Sequence, residues 1–103
     1  MVSFDDVEVS NFPEVDEIDH GIITKNFQNF LQKVSYECST PKLHINIKEY
    51  DKGGLKKQHE VHAKLDLNGV LFVASGTDWQ LITIIQSVLD KLEKEVLKKH
   101  SKQ

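Results

Sequence analysis

The chain has 103 residues, with thirteen Lys, no Arg and sixteen Asp and Glu, for a formal net charge of −3. That length holds one domain with a modest core, and the charge balance excludes the strongly basic composition typical of nucleic-acid-binding domains. The lone Cys38 excludes an internal disulfide framework. No apolar run approaches the roughly 20 residues that span a bilayer, and the Asp-containing start is not a signal peptide, so the expected setting is cytoplasmic with no membrane partner.

Residues 1–20 carry Asp5, Asp6, Glu8, Glu14, Asp16, Glu17 and Asp19 and no Lys. The remainder therefore holds all thirteen Lys against nine acids and is net positive. Within the acidic segment, Val7-Glu8-Val9-Ser10 alternates as a short strand, and Phe12-Pro13 breaks it. Ile23, Phe27, Phe30, Leu31 and Val34 then mark one apolar stripe of a helix ending near Ser35. Asp19 is the expected N-cap, and Gly21 argues against a start as early as Pro13. Ser39-Thr40-Pro41 reads as a connection.

From Leu43 the alternation is strict. Leu43, Ile45 and Ile47 share one face while His44, Asn46 and Lys48 share the other, the pattern of a half-buried strand, with Asp51-Lys52-Gly53-Gly54 as its turn. Val61, Ala63, Leu65 and Leu67 alternate against Glu60, His62, Lys64 and Asp66 in the next strand, which runs into Asn68-Gly69. That dipeptide favours a type I′ two-residue turn. It sets Leu67 opposite Val70, Leu65 opposite Phe72 and Ala63 opposite Ala74, so both inward sets coincide. The other face is polar, with Leu71 and Val73 as an apolar patch that suits a large partner or is scattered surface.

Thr77 with Gln80 fits a capping box for a final helix. Its core stripe is Leu81, Ile85, Val88, Leu92 and Val96, widened by Ile84 and Leu89. Lys91, Lys94, Lys98, Lys99 and Lys102 gather toward its C-terminus. Two readings of those lysines stand side by side: cations favoured by the helix dipole on a solvated face, or phosphate contacts. Trp79 reads as a packed lid over the end of the core in preference to a base-stacking platform. The expected fold class is α+β, ordered β-α-β-β-β-α, with an antiparallel-rich four-stranded sheet and two helices packed on one face.

No catalytic constellation, phosphate-cradling loop or cofactor site emerges, and no small-molecule substrate is implied. His59 and His62 point to opposite faces of a strand and cannot share a metal. His44 and His62 both point outward, leaving a surface site or phosphate contact as the alternative to none. Cys38 reads as a packed or incidental thiol.

Asn68-Gly69-Val70-Leu71, Val73-Ala74-Ser75-Gly76 and Lys91-Leu92-Glu93-Lys94 resemble the C-terminal half of the ribosome hibernation-promoting factor and ribosome-associated inhibitor A family, also called sigma-54 modulation proteins. The last third matches well, the middle in pattern and the first third in element order. Three features depart from the family: Gln80-Leu81-Ile82 stands where an acidic-Met-aromatic triplet is common, the strand after Asn68-Gly69 is one residue longer, and Arg is absent. Without Arg there are no bidentate phosphate forks.

The resemblance implies a divergent, short, non-enzymatic ribosome-binding-like domain over residues 1–103. It would bind rRNA of the small ribosomal subunit in the mRNA and tRNA channel, beside ribosomal proteins, and inhibit translation during stress or dormancy. The family's basic helix pattern falls on Lys91, Lys94, Lys98 and Lys102, with Lys99 beside them. Lys48, Lys52, Lys56, Lys57 and Lys64 form a second basic group by reading of the residues alone. The alternative is a protein-interaction module that uses the acidic N-terminal segment or the open sheet face, without RNA binding.

Overall fold

A computed structural model describes residues 2–4, 7–34, 41–51 and 57–101. Its order is β1 (Val2–Phe4), β2 (Val7–Ser10), α1 (Glu17–Val34), β3 (Lys42–Asp51), β4 (Lys57–Leu67), β5 (Val70–Asp78) and α2 (Leu81–Ser101). The strands lie side by side in chain order. The four expected strands, β2 to β5, form a mixed sheet, and β1 adds a three-residue strand antiparallel to β2. Nothing in so short a segment, followed by two aspartates, signals a strand from sequence alone.

The β2 and β3 strands pair in parallel, Val7 beside Leu43 and Val9 beside Ile45. Parallel neighbours need a long crossover, and α1 supplies it. Strand β2 ends where Asn11 takes a left-handed φ of 60°, a conformation Asn tolerates better than most residues. Helix α1 starts two residues ahead of the expected cap: Asp16 Oδ1 accepts from Asp19 N at 2.8 Å, and Asp16 O accepts from His20 N at 2.9 Å. Asp16 is therefore the N-cap and Asp19 lies in the first turn with Glu17, where the helix dipole favours negative charge. Part of the acidic segment is thus built into a helix terminus.

The β4–β5 hairpin has the expected register, Leu67 opposite Val70, Leu65 opposite Phe72 and Ala63 opposite Ala74. Asn68 and Gly69 take φ values of 54° and 86°, both positive as a type I′ turn requires, and Gly69 N donates to Asp66 Oδ1 at 2.8 Å. The inward parity of the sheet buries Val7, Val9, Leu43, Ile45, Ile47, Val61, Ala63, Leu65 and Leu67. They form one core with Ile23, Phe27, Phe30 and Val34 of α1 and with all seven expected positions of α2. Leu31 is only partly buried beside it.

Helix α2 packs over β4 and β5 and beside α1. Its close seat depends on Gly76: a Cβ there would stand 2.7 Å from Ile84 Cδ1 and 3.6 Å from Val88 Cγ2. The Thr77–Gln80 capping box does not form, because β5 continues to Asp78 and holds Thr77 in the strand. Instead Asp78 Oδ1 accepts from Gln80 N at 3.0 Å, and Gln80, as N-cap, accepts from Ile84 N at its carbonyl and from Thr83 Oγ1 at its side chain.

Urea unfolding should rank four substitutions. Ile85→Ala, at a fully buried site, should cost about 2–5 kcal/mol, and Gly76→Ala about 1–3 kcal/mol through displacement of Ile84. Gly69→Ala should cost about 1–2 kcal/mol because of its positive φ, while Val73→Ala on the exposed face should stay within about 0.5 kcal/mol.

Candidate nucleic-acid interface

Helix α2 sorts its charges by flank. Lys91, Lys94 and Lys98 recur at spacings of three and four and are all exposed, which places them on one stripe. The other flank carries Asp90 and Glu93. Asp90 accepts from Gln86 Nε2 at 3.0 Å, and Glu93 lies 3.6 Å from Lys33 of α1. Glu93 is thus turned toward α1, while Lys91 and Lys94 border an open groove that Ile22 and Asn26 of α1 also line.

Lys91 also has a structural contact, since its Nζ donates to Ser75 O of β5 at 3.0 Å. Lys99 belongs to α2 by its backbone, and Lys102 lies outside the described residues.

The second basic group is on another layer. Cross-strand registers lay out the open face in rows: Lys42, Asp66 and Leu71; Glu8, His44, Lys64 and Val73; Ser10, Asn46, His62 and Ser75; Lys48, Glu60 and Thr77. Lys42, Lys48 and Lys64 therefore share this face with Glu8, Glu60 and Asp66, and the acids balance them. Lys57 is exposed at the far end of the hairpin, paired with Asp51, and Lys52 and Lys56 lie outside the described residues, as do Gly53, Gly54 and Cys38. Among the described lysines, Lys48 and Lys64 lie on the layer opposite α2, and on α2 Lys91, Lys94 and Lys98 outnumber the one acid of their stripe, exposed Glu95. Lys42 escaped the reading of the sequence, although its parity with His44, Asn46 and Lys48 signals the same face.

Both outward histidines have carboxylate neighbours. His44 Nδ1 stands 3.6 Å from Glu8 Oε2, with its Nε2 3.2 Å from Ser10 Oγ. His62 Nε2 donates to Glu60 Oε1 at 3.0 Å, and the Tyr50 hydroxyl donates to the same oxygen at 3.2 Å. These contacts hold the Glu60 carboxyl below its ordinary range: the His62 hydrogen bond is the largest cause, desolvation opposes it, and Tyr50 and the charges of His62 and Lys48 add to it. No group of three or more His, Cys, Asp or Glu is placed to hold a metal ion among the described residues.

His59, of inward parity, sits between layers, with Nδ1 3.1 Å from Trp79 O and Nε2 3.2 Å from Glu49 Oε2. It ties the β5–α2 turn to β3. The Trp79 side chain is 49% exposed, so the packed-lid expectation fails: extending β5 to Asp78 carries the indole past the end of the core. Leu71 and Val73, at 61% and 59% exposed, do form an apolar patch.

No family model matches the chain, and no curated protein matches it in sequence. Its class is an α+β sandwich with a mixed sheet, two helices and the expected β-α-β-β-β-α order. That is the fold of a ribosomal subunit interface protein from Coxiella burnetii, 17% identical over 92% of this chain and 97% of that one, with a TM-score of 0.69. The N-terminal domain of Thermus thermophilus Protein Y is similar at 17% identity, 87% and 91% coverage and a TM-score of 0.56. This chain has their fold at low identity.

An NMR titration of the Glu60 carboxyl should give a midpoint below 4.5, and His62→Ala should move it upward. A depressed folded-state pKa means that ionised Glu60 contributes stability above the ordinary carboxylate range and loses it as pH falls through the folded-state midpoint. At this solvated site the contribution is small.

Proposed function

We propose that the chain is a non-enzymatic, cytoplasmic ribosome-binding factor, a single domain over residues 1–103. It docks on the small subunit in the mRNA and tRNA channel and silences translation during stress or dormancy. The observation that carries this reading is the basic stripe Lys91, Lys94 and Lys98 on a fold shared with a ribosomal subunit interface protein. A sorted stripe attracts a phosphate backbone even when the whole chain is acidic, because attraction is set by charges within about a Debye length.

Lys94 and Lys98, with Lys99 and Lys102 beyond them, act as point-charge phosphate contacts. Lys91 does so on release from Ser75 O. Such contacts supply affinity without sequence information, and selectivity then comes from the shape of the folded rRNA. Lys48, Lys52, Lys56, Lys57 and Lys64 are secondary contacts at most, since Glu60, Asp66 and Glu8 share the open face with Lys48 and Lys64. No helix among the described residues is long and apolar enough to cross a membrane.

Cosedimentation with small subunits from the host, over a salt series, tests this reading. The wild type should bind at low salt and dissociate as salt rises. The Lys91→Glu, Lys94→Glu, Lys98→Glu variant should lose binding at least tenfold and flatten the slope of log affinity against log salt by about 2 to 3. Binding should inhibit translation in a cell-free system. A wild type that stays out of the ribosomal fractions at low salt refutes the proposal.

A further inference from the structure

Strand β5 is an edge of the sheet, and its hairpin decides which of its backbone groups face outward. In a two-residue hairpin the flanking pair, Leu67 and Val70, exchanges both N–H···O bonds, and bonded and non-bonded pairs then alternate along the ladder. Phe72, Ala74 and Gly76 therefore bond to β4, while Leu71, Val73, Ser75 and Thr77 turn their N–H and C=O groups to the open edge. The Lys91 ammonium on Ser75 O, at 3.0 Å, lies on that edge. The same four residues have exposed side chains on the open face, where Leu71 and Val73 are the most exposed large apolar side chains among the described strands.

We infer that the β5 edge takes up an extended peptide in which acidic and apolar residues alternate, adding a strand to the sheet. Side chains of an added strand alternate between faces. Those beside Leu71 and Val73 meet apolar surface on the open face. Those beside Phe72, Ala74 and Gly76 are directed to the helix layer, where Lys91, Lys94 and Lys98 outweigh the single interruption of Glu95. An incoming carboxylate gives Lys91 an ionised acceptor, a stronger partner than a carbonyl. Release of Lys91 exposes Ser75 O to the peptide N–H, the main-chain pairing that gives strand addition its affinity.

Charge also decides the occupant. A second copy paired β5 to β5 across a two-fold axis would set one Lys stripe against another, and like charges across an interface are costly. Lysine at a sheet edge is a known guard against such self-pairing. Strand uptake does not depend on ribosome binding, although both draw on the same lysines.

The test is titration of the isotopically labelled full chain, at low salt, with a blocked nine-residue peptide alternating Glu and Val. A Lys-Val peptide of equal length is the control. Saturable binding is expected, with amide exchange at Val73 and Ser75 slowed at least tenfold and amides of β4 unchanged. Lys94→Glu with Lys98→Glu should weaken binding at least fivefold. Val73→Pro removes one outward donor from an edge strand without taking a bond from β4, and should weaken it similarly. If that variant unfolds, Val73→Lys asks the same question through the exposed side chain and should also weaken binding.

Equal binding of the Lys-Val peptide overturns the proposal, as do shifts confined to α2 with unprotected β5 amides. So does protection of β5 in a peptide-free dimer detected by sedimentation equilibrium, or by an RNA oligonucleotide in place of the peptide.

Discussion

At Asn68-Gly69 a two-residue turn joins β4 to β5. Its positive φ values fix the pairing of β4 with β5, and because strand side chains alternate with a period of two, a slip of one residue would exchange the faces. With this register, Ala63, Leu65 and Leu67 enter the core, and His62, Lys64 and Asp66 face solvent. Phe72 and Ala74 pack against the core while Leu71 and Val73 stay exposed. The same turn leaves alternate backbone groups of β5 at the sheet edge. Core, polar face and edge chemistry all descend from one dipeptide.

Helix α2 converts that edge into a charged surface. The missing side chain at Gly76 lets Ile84 and Val88 approach β5, which brings Lys91 within reach of Ser75 O. Lys94 and Lys98 continue the stripe beyond it, while Glu93 is drawn to Lys33 on the other flank. A chain with a net charge of −3 thereby presents a locally basic strip. Glu95 is the one acid on that strip; Glu17 and Asp19 sit in the first turn of α1, and Glu8, Glu60 and Asp66 lie among the lysines of the open face.

Much of the fold was legible in the residues because its signals are local. The stripe from Leu81 to Val96, the alternation from Leu43 and the hairpin register follow from helix and strand periods and from turn chemistry. Cap positions were less legible. Asp16 and Asp19 are both good caps in isolation, and the choice depends on where α1 begins. Thr77 lost its cap role to Asp78 and Gln80 because pairing with β4 holds it in β5, a tertiary override of a local motif. The same extension explains why Trp79 is half in solvent. Strand β1 had no signal long enough to read.

The candidate site was visible as a list of lysines, and their grouping was not. Sequence determined that Lys91, Lys94 and Lys98 share a helical stripe and that Lys48 and Lys64 point away from the core, since both facts follow from the period of one element. Packing of the helices on the sheet puts these groups on opposite layers, sets Glu8, Glu60 and Asp66 among the lysines of one of them, and brings Lys91 to the β5 edge. The sign of a surface depends on which distant segments become neighbours. That is settled by strand order and helix packing, which bring together residues that no local period connects.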